Sequence, residues 1–390
     1  MKKTLMVAAL TGVFATAAHA QSSVTLYGLI DAGITYTNNQ HGHSNWQETD
    51  GAVNTSRWGL RGSEDLGGGL KAIFVLENGF NITSGALRQN SRLFGRQAFV
   101  GLASDQFGAV TLGRQYDSVV DYLGPQALTG TQYGGTFFAH PYDNDNLNNS
   151  FRVDNSIKYQ SANYGGFKFG GLYGFSNAAG EFSTNRAYSL GASYNYGGLN
   201  VSAAYLQLNN SIGAITAGEN PVNTITNGAG GAVGSDNSLV AGRQRTFGGA
   251  ISYAFGPATA GFVYTQSNLN NFVGISPSSS GTTNGILFPN VSSGHFQNFE
   301  VNGRYQLTPA LSVAAAYTFT QSSIEGNNPK WNQFNLQTSY ALSKRTDVYL
   351  QGEYQHVIQD NSGLNADINA LASSNNNNQV AVTAGLRHRF

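Results

Sequence analysis

The chain has 390 residues, and its 21 basic and 21 acidic side chains cancel, with charged residues making up only 11% of the total. This balance leaves no broad basic field, which argues against a nucleic-acid-binding protein. The chain contains no cysteine, so disulfide bonds are excluded, whereas Gly (49), Tyr (20) and Phe (23) are abundant.

The first twenty residues have the pattern of a secretory signal peptide. Lys2 and Lys3 form a short basic region, an apolar run follows, and the small residues Ala18 and Ala20 flank His19 at a cleavage site. We expect cleavage after Ala20, which leaves residues 21–390 as a single domain. In the mature chain, no apolar run approaches the roughly 20 residues that a membrane-spanning helix needs.

Segments in which apolar and polar residues alternate recur along the whole mature chain, and such alternation predicts β-strands with two different faces. Sixteen strands are predicted, starting near Val24, Val53, Leu70, Arg92, Phe107, Arg152, Phe167, Arg186, Leu199, Gln244, Ala258, His295, Ala310, Trp331, Thr346 and Gln379. Sixteen strands could close into a barrel wide enough for an aqueous channel.

Short and long connections between the predicted strands alternate strictly. Seven short connections carry turn residues, at 64–69, 104–108, 163–166, 196–198, 255–257, 307–309 and 342–345. Eight longer ones are centred near His41, Ile82, Gly130, Ala179, Asn220, Ser280, Gly326 and Asn365, and those at 209–241, 270–294 and 360–378 are expected to be solvated. Short periplasmic turns with long extracellular loops are typical of outer-membrane barrels. The predicted fold is therefore an all-β, sixteen-stranded antiparallel transmembrane β-barrel.

Four arginines are predicted to face the interior of this barrel, and we call them the basic wall: Arg57, Arg61, Arg96 and Arg152. Arg96 is placed there because it lies in step with Ala98 and Val100. Guanidinium groups along one side of a pore favour anions and disfavour cations. Alternatively, each arginine only satisfies a neighbouring carboxylate such as Glu77 or Asp154.

The third long loop, residues 116–151, differs from the others because its middle part, residues 124–139, is apolar and aromatic. A long loop of this composition is unstable in water, so we expect it to fold into the lumen and narrow it. The tip of this loop carries no charge.

The last twelve residues, 379–390, alternate between an apolar face ending in Phe390 and a polar face that contains Arg387 and Arg389. The stretch resembles the terminal strand of bacterial outer-membrane barrels, whose final Phe is an assembly signal. Taken alone, it is also compatible with a half-buried strand of a soluble sandwich. In the barrel, it is expected to pair with residues 24–36 and to close the sheet.

Several motifs resemble the Gram-negative general diffusion porins, in particular those of β-proteobacteria. They are Arg57-Trp-Gly-Leu-Arg61-Gly-Ser-Glu-Asp-Leu-Gly, Arg96-Gln-Ala-Phe-Val-Gly-Leu, Leu112-Gly-Arg-Gln-Tyr, and Phe151-Arg152 after a long loop with Gly134-Gly135. The resemblance covers the whole mature chain. It implies a homotrimer in which Arg57, Arg96 and Arg152 face an infolded third loop at the narrowest part of the pore.

One departure from enterobacterial porins concerns the constriction loop, for which Asp121, Gln132, Tyr133, Gly134 and Gly135 are the candidate residues. The enterobacterial Pro-Glu-Phe-Gly-Gly is replaced by Thr131-Gln-Tyr-Gly-Gly. Neutral Gln132 therefore stands where those relatives carry a carboxylate, which should make the pore lean towards anions. Asp121 could compensate if its limb of the loop folds inwards.

No arrangement of catalytic residues is evident, since none of the histidines pairs with an inward-facing serine. His41 and His43 could bind a metal, but no third ligand is apparent, and no cofactor is expected. A plugged receptor or an adhesin would need a further domain for which the chain has no room.

We therefore predict a channel for passive diffusion of ions and small hydrophilic solutes, with a mild anion preference. The alternative is a substrate-selective porin with a saturable site among Tyr116, Tyr122 and Tyr133. The expected partners are membrane lipid, lipopolysaccharide and the barrel-assembly machinery, which would recognise the C-terminal strand.

Overall fold

The computed structural model describes residues 23–209, 231–233, 237–275, 286–288, 291–324, 326–358 and 362–390. The predicted signal peptide and the central parts of the loops at 209–241 and 270–294 lie outside these ranges. The strands are β1 (Ser23–Gln40), β2 (His43–Asp50), β3 (Arg57–Gly67), β4 (Leu70–Gly79), β5 (Gln97–Ser104), β6 (Gly108–Gln115), β7 (Val153–Gln160), β8 (Phe167–Gly174), β9 (Ala187–Tyr196), β10 (Leu199–Asn209), β11 (Leu239–Phe255), β12 (Ala258–Ile275), β13 (Ile286–Leu287), β14 (Ser293–Gln306), β15 (Leu311–Ile324), β16 (Lys330–Ala341), β17 (Thr346–Ile358) and β18 (Asn378–Arg389).

These strands form one closed antiparallel sheet. Because β2 and β3 both pair with β1, they act as one interrupted strand, and the two-residue β13 is an extra strand beside β12. The remaining count is sixteen, as predicted. The barrel closes where β1 pairs with β18, and Gly28 and Phe390 exchange two backbone hydrogen bonds of 3.0 Å there.

The two faces of the strands have opposite polarity. In β16, Gln333, Asn335 and Gln337 are buried, whereas Phe334 and Leu336 are 53% and 55% exposed. A soluble protein would bury the apolar face instead. Polar residues inside and apolar residues outside are the arrangement of a membrane-spanning barrel with a polar lumen, so the soluble-sandwich alternative is wrong.

The first predicted long loop is a tight turn. β1 and β2 are joined by only His41 and Gly42, with φ of 54° and 96°. Two-residue turns with positive φ match the twist of a hairpin, and Gly favours them. The irregular stretch lies later, at residues 51–56, where it interrupts the second barrel strand between β2 and β3.

The eighth long loop was predicted to be solvated, but its described part, residues 362–377, is packed. Leu364, Ala366 and Ile368 are completely buried. The backbone N–H groups of Asp367 and Ile368 donate to side-chain oxygens of Gln355 and Gln379, at 2.5 and 2.7 Å. Every second residue from Leu364 to Ile368 is therefore buried, and the side-chain amides of Gln355 and Gln379 accept hydrogen bonds from the backbone of this segment.

In the part of the chain that the structure describes, helical structure is confined to short segments. These are α1 (Arg88–Ser91), α2 (Ser118–Tyr122), and 3₁₀ turns at Gly124–Gln126, Leu128–Gly130, Thr136–Phe138 and Pro141–Asp143. None of the helices in the described ranges has the length and apolar composition that crossing a membrane requires. All but α1 belong to the third loop, which therefore has a compact structure of its own.

Candidate channel constriction

A hydrogen-bonded group centred on Glu77 holds one arginine of the basic wall. Arg96 Nε donates to Glu77 Oε1 at 2.6 Å. The hydroxyl groups of Tyr27 and Tyr116 donate to the same carboxylate, at 3.0 and 3.1 Å. Arg96 and Glu77 are both buried. The interpretation that an arginine satisfies a neighbouring carboxylate therefore applies to Arg96, whose charge Glu77 balances.

Arg57 lies beside this group without such a partner. It begins β3, is half-buried, and its guanidinium Nη1 donates to the carbonyl of Thr55 at 3.4 Å. Within the described ranges, no carboxylate forms an ion pair with Arg57, whereas Arg96 and Arg114 each have one. The positive charge of Arg57 therefore remains available to a passing ion.

The other two wall arginines stack on the tyrosines of the Glu77 group. The guanidinium of Arg152 lies 5.8 Å from the ring centre of Tyr116, and that of Arg61 lies 5.3 Å from the ring of Tyr27. Such contacts between a cation and an aromatic face are attractive. All four predicted arginines are thus brought to one region of the barrel.

Asp154, the other carboxylate named from the sequence, forms an ion pair with an arginine outside the basic wall. Its carboxylate lies 2.6 Å from Nη1 of Arg114, which the sequence did not single out. The same nitrogen donates to the carbonyl of Arg152 at 3.2 Å. Arg114 therefore supports the backbone from which Arg152 extends.

The prediction that Arg96 is in step with Ala98 and Val100 on the inner face is wrong. Val100 and Leu102 are 58% and 50% exposed on the apolar outer surface, so even-numbered positions of β5 point outwards. Arg96 precedes β5, and its backbone N–H donates to the carbonyl of Glu77. The side chain reaches the inner face because it leaves the chain before the regular strand begins.

The third loop and the basic wall enclose a hollow of about 320 Å³. Its wall side includes Arg57, Glu77, Arg96 and Tyr116, and its loop side includes Gly124, Pro125, Thr129, Gly130, Thr136, Asn148 and Asn149. None of these loop residues is charged. An ion in the hollow therefore faces two arginines and the carboxylate of Glu77 on one side, and neutral groups on the other.

Two apolar clusters hold the third loop against the strands. Val119, Leu123 and Phe151 are almost fully buried with Leu206 and Leu208 of β10. A second cluster buries Leu128, Phe137 and Phe138 together with Val53, Tyr349, Ile368 and Leu371. The eighth loop supplies Ile368 and Leu371, so the two loops stabilise each other.

A buried ionic group also joins the third loop to the barrel. His140 Nδ1 lies 2.7 Å from Asp145 Oδ2, and its Nε2 lies 3.0 Å from Glu300 Oε2 on β14. The backbone N–H of Leu128 donates to the other oxygen of Glu300 at 2.9 Å. Burial lowers the pKa of His140, but the two carboxylates outweigh it and raise that pKa to about 10.

His140 is therefore an imidazolium at neutral pH, held by two carboxylates. Sequence reasoning did not single out this histidine. Two signals were available: its closeness in sequence to Asp145, and Glu300, the lone acidic residue of β14. Neither signal could reveal that the two carboxylates meet at one imidazole.

Gln132 does not line the hollow beside Arg57. Its carbonyl accepts hydrogen bonds from Arg387 and Gln337, both at 3.2 Å, and its side-chain oxygen accepts one from Arg389 at 3.2 Å. Arg387 and Arg389 also share Asp347, each at 2.7 Å. The neutral residue at the loop tip thus faces a second basic group, on the closing strand.

The remaining predicted loop residues are placed apart from one another. Tyr133 lies under the guanidinium of Arg304, 5.4 Å from ring centre to cation. Asp121 forms an ion pair with Lys158. Burial raises the pKa of Asp121, although Lys158 opposes the shift. Asp121 therefore does not stand opposite Arg57 as a compensating charge.

Gly135 lets the loop tip approach the barrel wall closely. Its φ is +74°, and a Cβ atom there would overlap the carbonyl group of Val53. We expect Gly135→Ala to displace the loop tip, because a β-carbon cannot share this space and because positive φ costs non-glycine residues about 1–2 kcal/mol. Single-channel conductance should change measurably.

Gly85→Ala is the matched control for this prediction. Gly85 has φ of +73°, but the described residues leave the space around its Cβ position open. It shares the positive φ of Gly135 without the overlap. Equal conductance changes in the two variants would contradict the close contact between Gly135 and Val53.

Comparison with known proteins is consistent with this architecture. The sequence profile of the Gram-negative porin family matches residues 5–363. An outer membrane porin protein of Bordetella pertussis is 33% identical over 422 aligned positions, covering 100% of both chains. Outer membrane porin protein 32 of Delftia acidovorans is 35% identical over 228 positions, covering 55% of this chain and 62% of the relative.

Among solved structures, the anion-selective porin from Comamonas acidovorans superposes with a TM-score of 0.71 at 24% identity. The alignment covers 95% of this chain and 100% of that one, and at this identity it supports the fold alone. Porins are passive channels rather than enzymes. The profile match and the full-length relative identify this chain as a member of the Gram-negative porin family, an integral β-barrel of the outer membrane.

Proposed function

We propose that this porin passes ions and small hydrophilic solutes by passive diffusion, with a mild preference for anions. The observation that carries the proposal is Arg57, which lies on the hollow without a carboxylate partner in the described residues, opposite neutral loop groups. A fixed positive charge beside the path of an ion lowers the energy of anions and raises that of cations. The structurally similar Comamonas protein is also described as anion-selective.

We also propose that the third loop lies in the lumen and sets the size limit. Its contacts with the polar face of distant strands support this placement: Leu128 bonds Glu300 on β14, Gln132 bonds Arg387 on β18, and Gln126 bonds Ser202 on β10. A segment that meets these three strands from their polar side narrows the space between them. The basic wall of Arg57, Arg61, Arg96 and Arg152 would then set charge preference at that level.

The two ends of the chain carry the proposed signals for its processing and assembly. Cleavage after Ala20 would release the barrel domain, and the C-terminal strand ending in Phe390 would be recognised by the assembly machinery.

A homotrimer is proposed, since the related fold of Vibrio cholerae OmpT is described in a trimer form. Ala32, a small residue on the outer face of the first strand, leaves room for a neighbouring subunit, whereas Gly28, the other small residue considered for this role, is covered by the ring of Phe390.

A reversal-potential measurement in planar bilayers under a salt gradient tests the proposed selectivity. We expect a reversal potential with the sign that a preference for anions gives. A clear preference for cations would contradict the role of the arginines. A saturable site among Tyr116, Tyr122 and Tyr133 is less well supported, because only Tyr116 lines the hollow while Tyr122 packs in an apolar cluster. Concentration-dependent block of the current by sugars or phosphate would instead favour that alternative.

A further inference from the structure

Two arginines lie on the outer surface of the barrel, at the end that carries the long loops. Arg243 and Arg245 are alternate residues of β11, on the same face as Phe247 and Ile251, which are 36% and 48% exposed. This face is the apolar one that meets lipid. Charged side chains on it belong at the level where hydrocarbon gives way to head groups.

The charges of these two arginines converge on one neutral atom. Arg243 donates to Asn270 Oδ1 from Nε and Nη2 at 3.2 and 3.0 Å, and Arg245 donates to the same oxygen from Nη2 at 3.3 Å. Strands β10, β11, β12, β15 and β16 contain no acidic residue, and Glu300 of β14 is buried on the opposite face. The pair therefore forms a positive surface with no carboxylate on the neighbouring strands.

Two polar hollows adjoin at Asn270. One, of about 360 Å³, is lined by Arg245, Asn270, Ser293 and His295 among others, and the other, of about 400 Å³, by Arg243, Asn270, Thr184 and Asn209. Hydroxyl, amide and guanidinium donors around a concave surface suit the oxygens of a phosphate group. The hollows thus provide room for a phosphorylated head group above the pair and beside it.

The surface below the two arginines favours a phosphate group that is attached to a lipid. Tyr264 and Phe299 pack with ring centres 5.1 Å apart, and Tyr264 lies opposite Gly249, two residues below Phe247 on the same face. Aromatic residues of this kind mark the membrane interface. A ligand whose phosphate rests on Arg243 and Arg245 would extend its acyl chains along Phe247 and Ile251.

We propose that Arg243, Arg245 and Asn270 form a binding site for a phosphate group of lipopolysaccharide in the outer leaflet. Basic pockets at the membrane surface recognise phosphorylated lipid head groups in this way. Free phosphate shares the chemistry of the head group, but it makes no use of the apolar wall below. The site therefore favours the lipid-linked group.

Binding of diphosphorylated lipid A to the purified full chain in detergent tests this site. The double variant Arg243→Ala/Arg245→Ala should bind roughly tenfold more weakly, since hydrogen bonds to charged groups are lost. Asn270→Asp is a nearly isosteric second variant. Its carboxylate would neutralise the two guanidinium groups and repel phosphate, and we expect a similar loss. Unchanged single-channel conductance would confirm that each barrel is folded.

The control is Lys344→Ala/Arg345→Ala, which removes an exposed basic pair from the turn 342–345 at the opposite end of the barrel. It should bind lipid A as the wild type does. The proposal is overturned if either site variant keeps wild-type affinity, or if dephosphorylated lipid A binds equally well. It is also overturned if inorganic phosphate alone binds as tightly as lipid A, because the lipid would then contribute nothing.

Discussion

A channel with Arg57→Glu is expected to prefer cations where the wild type prefers anions. Arg57 lines the hollow and has no ion-pair partner among the described residues, so the substitution changes the local charge by two units. A unit charge about 4 Å from an ion contributes about 1 kcal/mol in a water-like medium. By the same relation, the change is about 2 kcal/mol for each passing ion, enough to reverse a mild preference.

The reversal potential under a salt gradient is the measurement for Arg57→Glu, and low ionic strength makes the difference largest because salt screens the charge. Arg345→Glu, in an exposed turn at the short-turn end, changes the net charge equally and should leave the sign unaltered. Arg96 is a poorer choice, because its replacement would leave the buried carboxylate of Glu77 without its cation. Retained anion preference in Arg57→Glu would place the selectivity elsewhere.

The barrel could be predicted from the sequence because its two faces meet different solvents. Every second residue of a strand such as Leu311–Ile324 must suit lipid, while those between must suit water, and this contrast is visible without any partner strand. The turn at His41 and Gly42 was missed for a local reason. Polar residues 43–50 resemble a solvated loop, although they continue a hairpin.

The arginines of the basic wall were singled out in the sequence because only 11% of the chain is charged, although the strand parity assigned to Arg96 was wrong. The sequence offered Glu77 as a possible partner but could not say which arginine it would meet. Glu77 meets Arg96 and Tyr116 only through the register of β4 against β5 and the path of the third loop. Whether an arginine keeps its charge available, as Arg57 does, depends on these distant contacts.

The residues that the third loop contacts could not be predicted, for the same reason. Its apolar middle predicted burial, and burial in two clusters is observed. Gln132 accepts hydrogen bonds from Arg387 and Arg389, which lie more than 250 residues further along the chain. The eighth loop, judged solvated from its Asn and Ser content, packs on the third through alternate residues that composition alone conceals.

Replacing His140 by Leu is expected to release the third loop from the barrel wall. Asp145 and Glu300 would then remain buried without their shared cation, and removing one member of a buried ion pair typically costs about 3–5 kcal/mol. We expect a lower unfolding temperature of the purified protein. Single-channel current should become noisier, because a loop held less firmly samples several positions.

Removing the charges of the two unpaired carboxylates should restore much of the stability that His140→Leu loses. In the triple variant His140→Leu/Asp145→Asn/Glu300→Gln, no buried charge remains at this site, and replacement of a whole buried ionic group is often nearly neutral. The side-chain amide that replaces the carboxylate of Glu300 could still accept the hydrogen bond from Leu128 N–H. If the single variant unfolded at the wild-type temperature, or the triple variant were the less stable of the two, charge balance would not be what holds the loop.

The same group predicts how the channel responds to alkaline pH. The pKa of His140 is raised from 6.5 to about 10 in the folded protein, so its protonation stabilises the folded state fully below pH 6.5. That contribution decreases as the pH rises and is lost as it passes about 10. Wild-type current noise should therefore grow between about pH 8 and about pH 10, whereas the triple variant, which has no imidazolium to lose, should lack this change. Equal responses of both proteins would mean that another group controls the loop.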